Sequence, residues 1–271
     1  MVYQQVVKKT DMNYRGKIGS TIKSLFEKDN NTAMFNEILA QSQILDCIIK
    51  KHLVPDKPVQ NIDIELSQDQ LNNISKIYIV ASGSSKNVGD IAKYFIEQVT
   101  GIPAFAEYAS EFAHRNPVIS SNDFVIAISQ SGETADTYQA IKTAKDKGCI
   151  TLALTNNPDS KIHNIADYKL MVEAGKEISI AATKSFTAQL VKLYILGIFL
   201  AEKRNSNTTQ DLQTIKKELH SVGNNLELIF NQSEKIARIS SKIKKSKSLV
   251  LLGRGVNSAV AREGALKIKE T

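Results

Sequence analysis

The run Phe124-Val-Ile-Ala-Ile128 leads directly into Ser129-Gln-Ser-Gly-Glu-Thr134, and the reading of this join decides the fold. Five apolar residues between Ser120-Ser-Asn-Asp123 and a hydroxyl-rich turn suit a strand buried on both faces, although a buried helical turn lacks periodicity in the same way. Beyond the turn, Ala135-Asp-Thr137 opens a stretch with Ala140, Ile141 and Ala144 at helical spacing. A strand, a turn and a helix start in that order aim unpaired backbone N–H groups and the positive end of a helix dipole at whatever lies above them. Ser129, Ser131 and Thr134 add uncharged donors, and Gly132 allows close backbone approach. The natural guest is a phosphate. Read alone, the same residues serve equally as a turn and an N-cap, with Thr134 capping and Glu133 in the first turn.

Working outward, the pattern recurs. Ile77-Tyr-Ile-Val-Ala81 is a second apolar run, followed by Ser82-Gly-Ser-Ser85 and an amphipathic helix through Ile91, Tyr94, Phe95 and Val99. Gly101-Ile-Pro103 turns into a short strand near Ala104-Phe-Ala106. Cys149-Ile-Thr-Leu-Ala-Leu154, closed by Thr155-Asn-Asn-Pro158, and Leu170-Met-Val172 complete five strands. Alternation of this kind predicts an α/β fold: a three-layer sandwich with a mainly parallel sheet.

Helices precede and follow this core. Residues 32–49 carry a helical apolar pattern with Thr32 or Asn31 as cap, and Pro55 and Pro58 end that region before a short polar helix at Ser67–Asn73. Ala182–Lys203 and Thr209–Lys245 are further helical stretches. Ser248-Leu-Val-Leu-Leu252 reads as another buried strand, followed by Gly253-Arg-Gly255 and a helix to Thr271, which repeats the Ile77–Val99 unit. The expected organisation is a lead-in at 1–31, a main domain at 32–205, connecting helices at 206–247, and the first strand and helix of a second domain at 248–271.

The formal charge of +7 is scattered, tryptophan is absent, and no basic run is interleaved with aromatic residues, which argues against nucleic acid. The excess equally suits a phosphate-binding cleft. Leu190–Leu200, the longest apolar candidate, is broken by Lys192 and Gly197, so no membrane span is expected. Cys47 and Cys149 form no metal or disulfide pattern, and the start lacks a secretory signal; a reduced, cytoplasmic protein without metal or organic cofactor is the expectation.

Taken together, Gly83-Ser84-Ser85, Ala109-Ser-Glu-Phe112, Ser129–Asp136, Glu177-Ile-Ser-Ile-Ala-Ala-Thr-Lys-Ser-Phe186, Leu252-Gly-Arg-Gly255 and Glu263-Gly-Ala-Leu-Lys-Ile-Lys-Glu270 closely resemble the sugar isomerase (SIS) half of the glucosamine-6-phosphate synthase family, the glutamine–fructose-6-phosphate aminotransferases. The resemblance runs over about residues 32–271. It implies that Ser129, Gln130, Ser131 and Thr134 hold the phosphate of fructose 6-phosphate or glucosamine 6-phosphate. Ser85 would bind a sugar hydroxyl and Ile180 border the sugar through its backbone. Glu270 would move a proton between C1 and C2, and Lys267 assist at the open-chain sugar. On one helix those two residues stand at i, i+3 and project from one face, where a carboxylate and a cation suit proton transfer and charge stabilisation. Ser84, Gly132, Glu177, Thr183 and Lys184 would support the surrounding loops. Thr183 doubles as a plausible helix cap, and Ala182 departs from the serine often found there.

The family also implies a homodimer and a glutaminase domain that this chain does not contain. Its ring-opening histidine and Schiff-base lysine would fall beyond Thr271. The expectation is therefore a phosphosugar-binding isomerase part that turns substrate over poorly. The alternatives are a non-catalytic phosphosugar-sensing module and a standalone sugar-phosphate isomerase or deaminase. His52, His114, His163 and His220 show no catalytic spacing, and Gly253-Arg-Gly255 lacks a dinucleotide fingerprint.

Overall fold

The computed structural model describes residues 32–204, 206 and 211–271; the expected lead-in at 1–31 and the cap at Asn31 lie outside them. Five parallel strands form one sheet in the order β2-β1-β3-β4-β5: β1 Lys76–Ala81, β2 Ala104–Tyr108, β3 Asp123–Ser129, β4 Ile150–Thr155 and β5 Tyr168–Met171. Register pairs Ile77 with Ala104 and Phe124, and Phe124 in turn with Ile150. The expected α/β sandwich with a parallel sheet is what forms.

Strand periodicity explains the layers. Phe124, Ile126 and Ile128 of β3 and Ile77 and Ile79 of β1 point to one face, whereas Val125, Ala127, Tyr78 and Val80 point to the other. The first face is covered by α1 (Thr32–His52), α3 (Gly83–Thr100) and α7 (Lys184–Lys203). The second is covered by α4 (Ala109–His114), α5 (Ala135–Asp146) and α6 (Lys161–Ile165). Cover on both sides is why all seven residues of β3 are buried and why its sequence shows no alternation.

Local signals set the boundaries. The short helix α2 (Gln68–Asn73) starts on a capping box in which Ser67 and Gln70 satisfy each other's backbone N–H. Helix α3 stops at Gly101, whose φ of 69° suits a left-handed C-cap. Gly89 lets α3 settle onto β1, since a Cβ there would stand 2.8 Å from Ile79 Cγ2. Helix α7 meets the length and apolarity of a membrane span, contrary to the reading of its sequence, but 72% of that window is buried inside the fold. It is the core helix.

After α7 come α8 (Leu212–Leu219), α9 (Val222–Phe230) and α10 (Ser233–Ile243). Helix α9 rests on α1 at Gly223, where Ser42 Oγ donates to the Gly223 carbonyl at 3.1 Å. Ser248–Leu252 corrects the sequence reading. It pairs with no strand among the described residues, and Val250 and Leu252 are 80% and 88% exposed. An extended segment becomes a strand only against a neighbour's free N–H and C=O groups, and neither edge strand, β2 nor β5, is offered to it. The following helix, α11 (Val256–Glu270), does form and packs antiparallel along α3.

A charged cluster joins α1, α7 and the end of β5. The Lys192 ammonium, 1% exposed, lies 2.5 Å from Glu173 Oε2 and 2.6 Å from His52 Nε2, and Lys51 also reaches Glu173. Burial pushes the Glu173 carboxyl up, but hydrogen bonds from His52, Lys192 and Lys51 outweigh it and hold the group well below the usual carboxylate range. Its stabilisation is therefore complete above the unfolded value of about 4.3 and fades as the pH falls toward the lower folded value. We expect Glu173→Gln to cost about 3 kcal/mol at pH 7, because it strands the Lys192 ammonium. Urea unfolding should show that gap narrowing at pH 2.5; an undiminished gap would contradict the assignment.

Candidate functional site

In a 2-1-3-4-5 parallel sheet, the connections after β1 and β3 leave toward opposite faces, which opens a crevice at the carboxyl ends of these two adjacent strands. The serine turn lies at the end of β3, and Gly83-Ser84-Ser85, the first turn of α3, at the end of β1. Ala81 and Ile128 are paired neighbours, so the two turns share one edge. Both following helices, α3 and α5, begin without a side-chain cap. Their N-termini thus bring positive dipole ends to the crevice.

The serine turn is tightly built. Ser129 Oγ accepts from the Gly132 N–H at 3.0 Å and lies 2.9 Å from Thr134 Oγ1. One hydroxyl of that pair donates to the other, which leaves one hydroxyl proton for a ligand. Thr134 stands at the N-cap position, yet its hydroxyl turns to Ser129 and does not cap α5. Glu133 precedes the helix and does not belong to its first turn. Ser131 is exposed, and its Oγ accepts from the Glu133 N–H at 3.2 Å; Gln130 is half-buried.

The turn is clamped from behind by the segment after β4. Ile162 N–H donates to the Gly132 carbonyl at 3.1 Å, and Asn156 N–H to the Gln130 carbonyl at 3.1 Å. Glu133 accepts from the Lys161 N–H at 2.9 Å; that bond, with the Lys161 ammonium, holds its carboxyl below the usual range. Gly132 has φ 69°, and a Cβ there would lie 1.9 Å from Ser160 Oγ. Asn156 continues the chain of contacts, its amide donating to the Gly175 carbonyl at 2.6 Å and accepting from the Ala174 N–H at 3.1 Å.

That contact leads to the loop before α7. Glu177 Oε1 accepts from the N–H groups of Thr183 at 2.9 Å and Ser185 at 3.2 Å, so this carboxylate caps α7 where Thr183 was the expected cap. The Lys184 ammonium is turned inward onto the Lys176 carbonyl at 2.6 Å. Glu37 of α1 receives the N–H groups of Ile178 at 2.6 Å and Ser179 at 3.2 Å. Held this way, Ile180 stands 96% exposed at the tip.

Helix α11 delivers the charged pair. Lys267 Nζ lies 2.6 Å from Glu270 Oε2 and donates to Ser84 Oγ at 3.0 Å, with Glu263 Oε1 at 3.3 Å. Glu263 is buried and accepts from Asn87 of α3 at 2.8 Å, which fixes the helix pair one turn away. Glu37, Asn87 and Asn156 carry no local signal in the sequence, because their partners are distant in the chain; Ser160 instead caps α6, and Glu263 also pairs with Lys267 four residues on. His114 is exposed, and His163 is bonded to Thr155 Oγ1 at 3.1 Å behind the turn. Cys149 is buried, and burial, then Asp123, push its thiol up to about 11.

The fold and the crevice define a class, a doubly wound α/β domain with an anion-ready turn at its switch point. Comparison with known proteins agrees with that class and narrows it. The SIS domain family matches residues 70–198. Glutamine–fructose-6-phosphate aminotransferase from Clostridium acetobutylicum is 38% identical over 237 residues, which is 88% of this chain and 39% of that protein. The Caldanaerobacter subterraneus enzyme of the same name is 35% identical over 98% of this chain and 45% of its own length. The solved C-terminal domain of glucosamine-fructose-6-phosphate aminotransferase from Francisella tularensis superposes with a TM-score of 0.81 at 32% identity, covering 90% of this chain and 68% of that one. The chain belongs to the SIS family, among the isomerase halves of glutamine–fructose-6-phosphate aminotransferases. It spans less than half the length of the curated relatives it matches.

The tight turn yields a direct check. Gly132→Ala should cost about 1–2 kcal/mol from the left-handed φ alone, and more from the overlap with Ser160. Gly148→Ala, at φ 77° with its nearest neighbour 4.0 Å away, should cost only the first part. Equal losses in urea unfolding would refute the clamp.

Proposed function

We propose that this chain binds a ketose or aldose 6-phosphate as the isomerase part of a glucosamine-6-phosphate synthase-like enzyme. The observation that carries this reading is the single sheet edge that holds the Ser129–Thr134 turn, two uncapped helix starts and the Lys267–Glu270 pair. In the proposal, the phosphate sits over the turn, taking donors from Ser129, Gln130, Ser131 and Thr134. Ser85 bonds a sugar hydroxyl, and the backbone at Ile180 borders the sugar. Ser84, Gly132, Glu177, Thr183 and Lys184 shape the loops around them.

Glu270 takes a proton from C1 of the open-chain ketose imine and returns it to C2, so that the aldose forms with the amine on C2. A carboxylate suits this step because one group reaches both adjacent carbons in turn. Lys267, 2.6 Å from that carboxylate and tethered to Ser84, orients it and offsets charge that develops on the sugar oxygen. The amine itself comes from a glutaminase domain outside this chain. The segment 248–271 opens a second unit of the same type, whose burial would cover Leu249–Leu252. Two copies associate, and the protein works in the cytoplasm.

Calorimetric titration with fructose 6-phosphate tests the reading. Ser131→Ala should raise Kd about tenfold through loss of one phosphate contact. Glu270→Gln should leave Kd within about threefold while abolishing any solvent-deuterium exchange at C1 followed by NMR. Tight binding of unphosphorylated fructose, or binding indifferent to Ser131, would refute it.

A further inference from the structure

A second cleft, distinct from the serine turn, lies where α11 starts alongside α3. It encloses about 350 Å³, near the lower end of small-molecule pockets, which run from roughly 300 to 1,000 Å³. Its walls carry three cations, Lys86, Lys93 and Arg262, and one carboxylate, Asp90. Asp90 Oδ2 takes Lys86 Nζ at 2.7 Å and Arg262 Nη2 at 2.6 Å, and Lys93 Nζ stands 3.7 Å from Oδ1. The side chains of Lys86 and Asp90 are only 8% and 9% exposed, while Arg262 is 48% exposed.

One carboxylate against three cations leaves two positive charges over. Arg262 with Asp90 braces α11 to α3, and Lys86 shares that carboxylate from within α3. The two more exposed cations, Lys93 and Arg262, stand one on each helix at the mouth of the cleft. Gly255 and Ser258 line the same space, where the positive end of the α11 dipole falls. The N–H groups of Asn257 and Ser258 are already turned back onto Arg254 and Gly255, so side chains supply the donors for a guest. Two tyrosines complete the walls. Tyr108 lies under the Lys86 ammonium at 4.7 Å from its ring centre, and Tyr94 lies beside Lys93; both rings are about half exposed. Exposed rings beside fixed cations suit a guest with a flat or sugar-like body and an anionic group.

We propose that this cleft is a second anion site, which takes a phosphate or diphosphate ester of a small ring-bearing metabolite between Lys93 of α3 and Arg262 of α11. The two surplus charges match a phosphate dianion, and Lys86 with Asp90 holds the floor of the site. Because α11 also carries Lys267 and Glu270, a guest that bridges the two helices stiffens the element that presents them. The inference does not depend on the function proposed for the serine turn.

The test is calorimetric titration of the whole chain with inorganic pyrophosphate, at low and at moderate salt. Arg262→Gln and Lys93→Gln each remove one cation at the mouth and leave the buried Lys86–Asp90 pair in place; a cooperative ligand-free melt confirms that each variant folds, Arg262→Gln melting somewhat lower through loss of its bond to Asp90. Each should weaken pyrophosphate binding about tenfold, and added salt should weaken it in the wild type. Ser131→Ala should leave it unchanged. Fructose 6-phosphate should show the reverse dependence, so failure of either site is read separately. No pyrophosphate binding, binding insensitive to both variants, or binding lost with Ser131→Ala overturns the proposal.

Discussion

The side-by-side placement of β1 and β3, with their chains departing to opposite faces, is the constraint on which the rest of the structure depends. Parallel strands put every strand end of one sense on one edge, and the reversal of winding opens that edge to a guest. What is placed there arrives as a loop, a helix start or, for Lys267 and Glu270, the end of α11. The serine turn follows β3, Ser84 and Ser85 follow β1, and Asn156 follows β4 and binds Gln130 on one side and the 174–175 stretch on the other. The loop carrying Ile180 is reached through that one asparagine and through Glu37 of α1. Rigidity at the turn comes from packing against Ser160, where only a glycine fits.

The antiparallel pairing of α3 and α11 is the second organising contact. Three bonds in register, Arg262 with Asp90, Asn87 with Glu263 and Lys267 with Ser84, zip the helices from the start of α11 toward its end. The zip brings Lys267 and Glu270 to the start of α3 and hence to the switch point. It also leaves a charged cleft farther along α3. One helix pair therefore connects the two proposed anion sites, and the buried Asn87–Glu263 bond lies between them.

β1, β3 and β4 were legible because each is an apolar run bounded by turn residues, whereas β5 reads as Leu170–Val172 and forms as Tyr168–Met171. Burial on both faces removes alternation but keeps length and composition, so β3 reads as Phe124–Ile128 and forms as Asp123–Ser129. The serine turn was legible as an anion-ready feature from its hydroxyls and glycine. Its internal wiring was not, since the Ser129–Thr134 bond and the failure of Thr134 to cap depend on the turn's three-dimensional path. Ser248–Leu252 misled for a related reason: leucine-rich, apolar composition records a preference for burial, and pairing needs a neighbour that composition does not reveal. Helix α7 shows the converse, with one apolar run interrupted at Lys192 and Gly197 lying in a buried core helix whose Lys192 is paired with Glu173 from the segment after β5. Glu37 and Asn156 act only across long stretches of chain, where no local spacing marks them.

The central claim is that the crevice between β1 and β3 recognises a phosphorylated sugar through the Ser129–Thr134 turn. The most direct measurement is a thermal melt of the chain with fructose 6-phosphate, glucosamine 6-phosphate, unphosphorylated fructose and inorganic phosphate in parallel. A sugar phosphate near a hundred times its dissociation constant should stabilise the fold by about 2.7 kcal/mol, a shift that fructose does not produce. Melting that is the same with and without every one of these ligands would contradict the account and return the serine turn to a purely structural role.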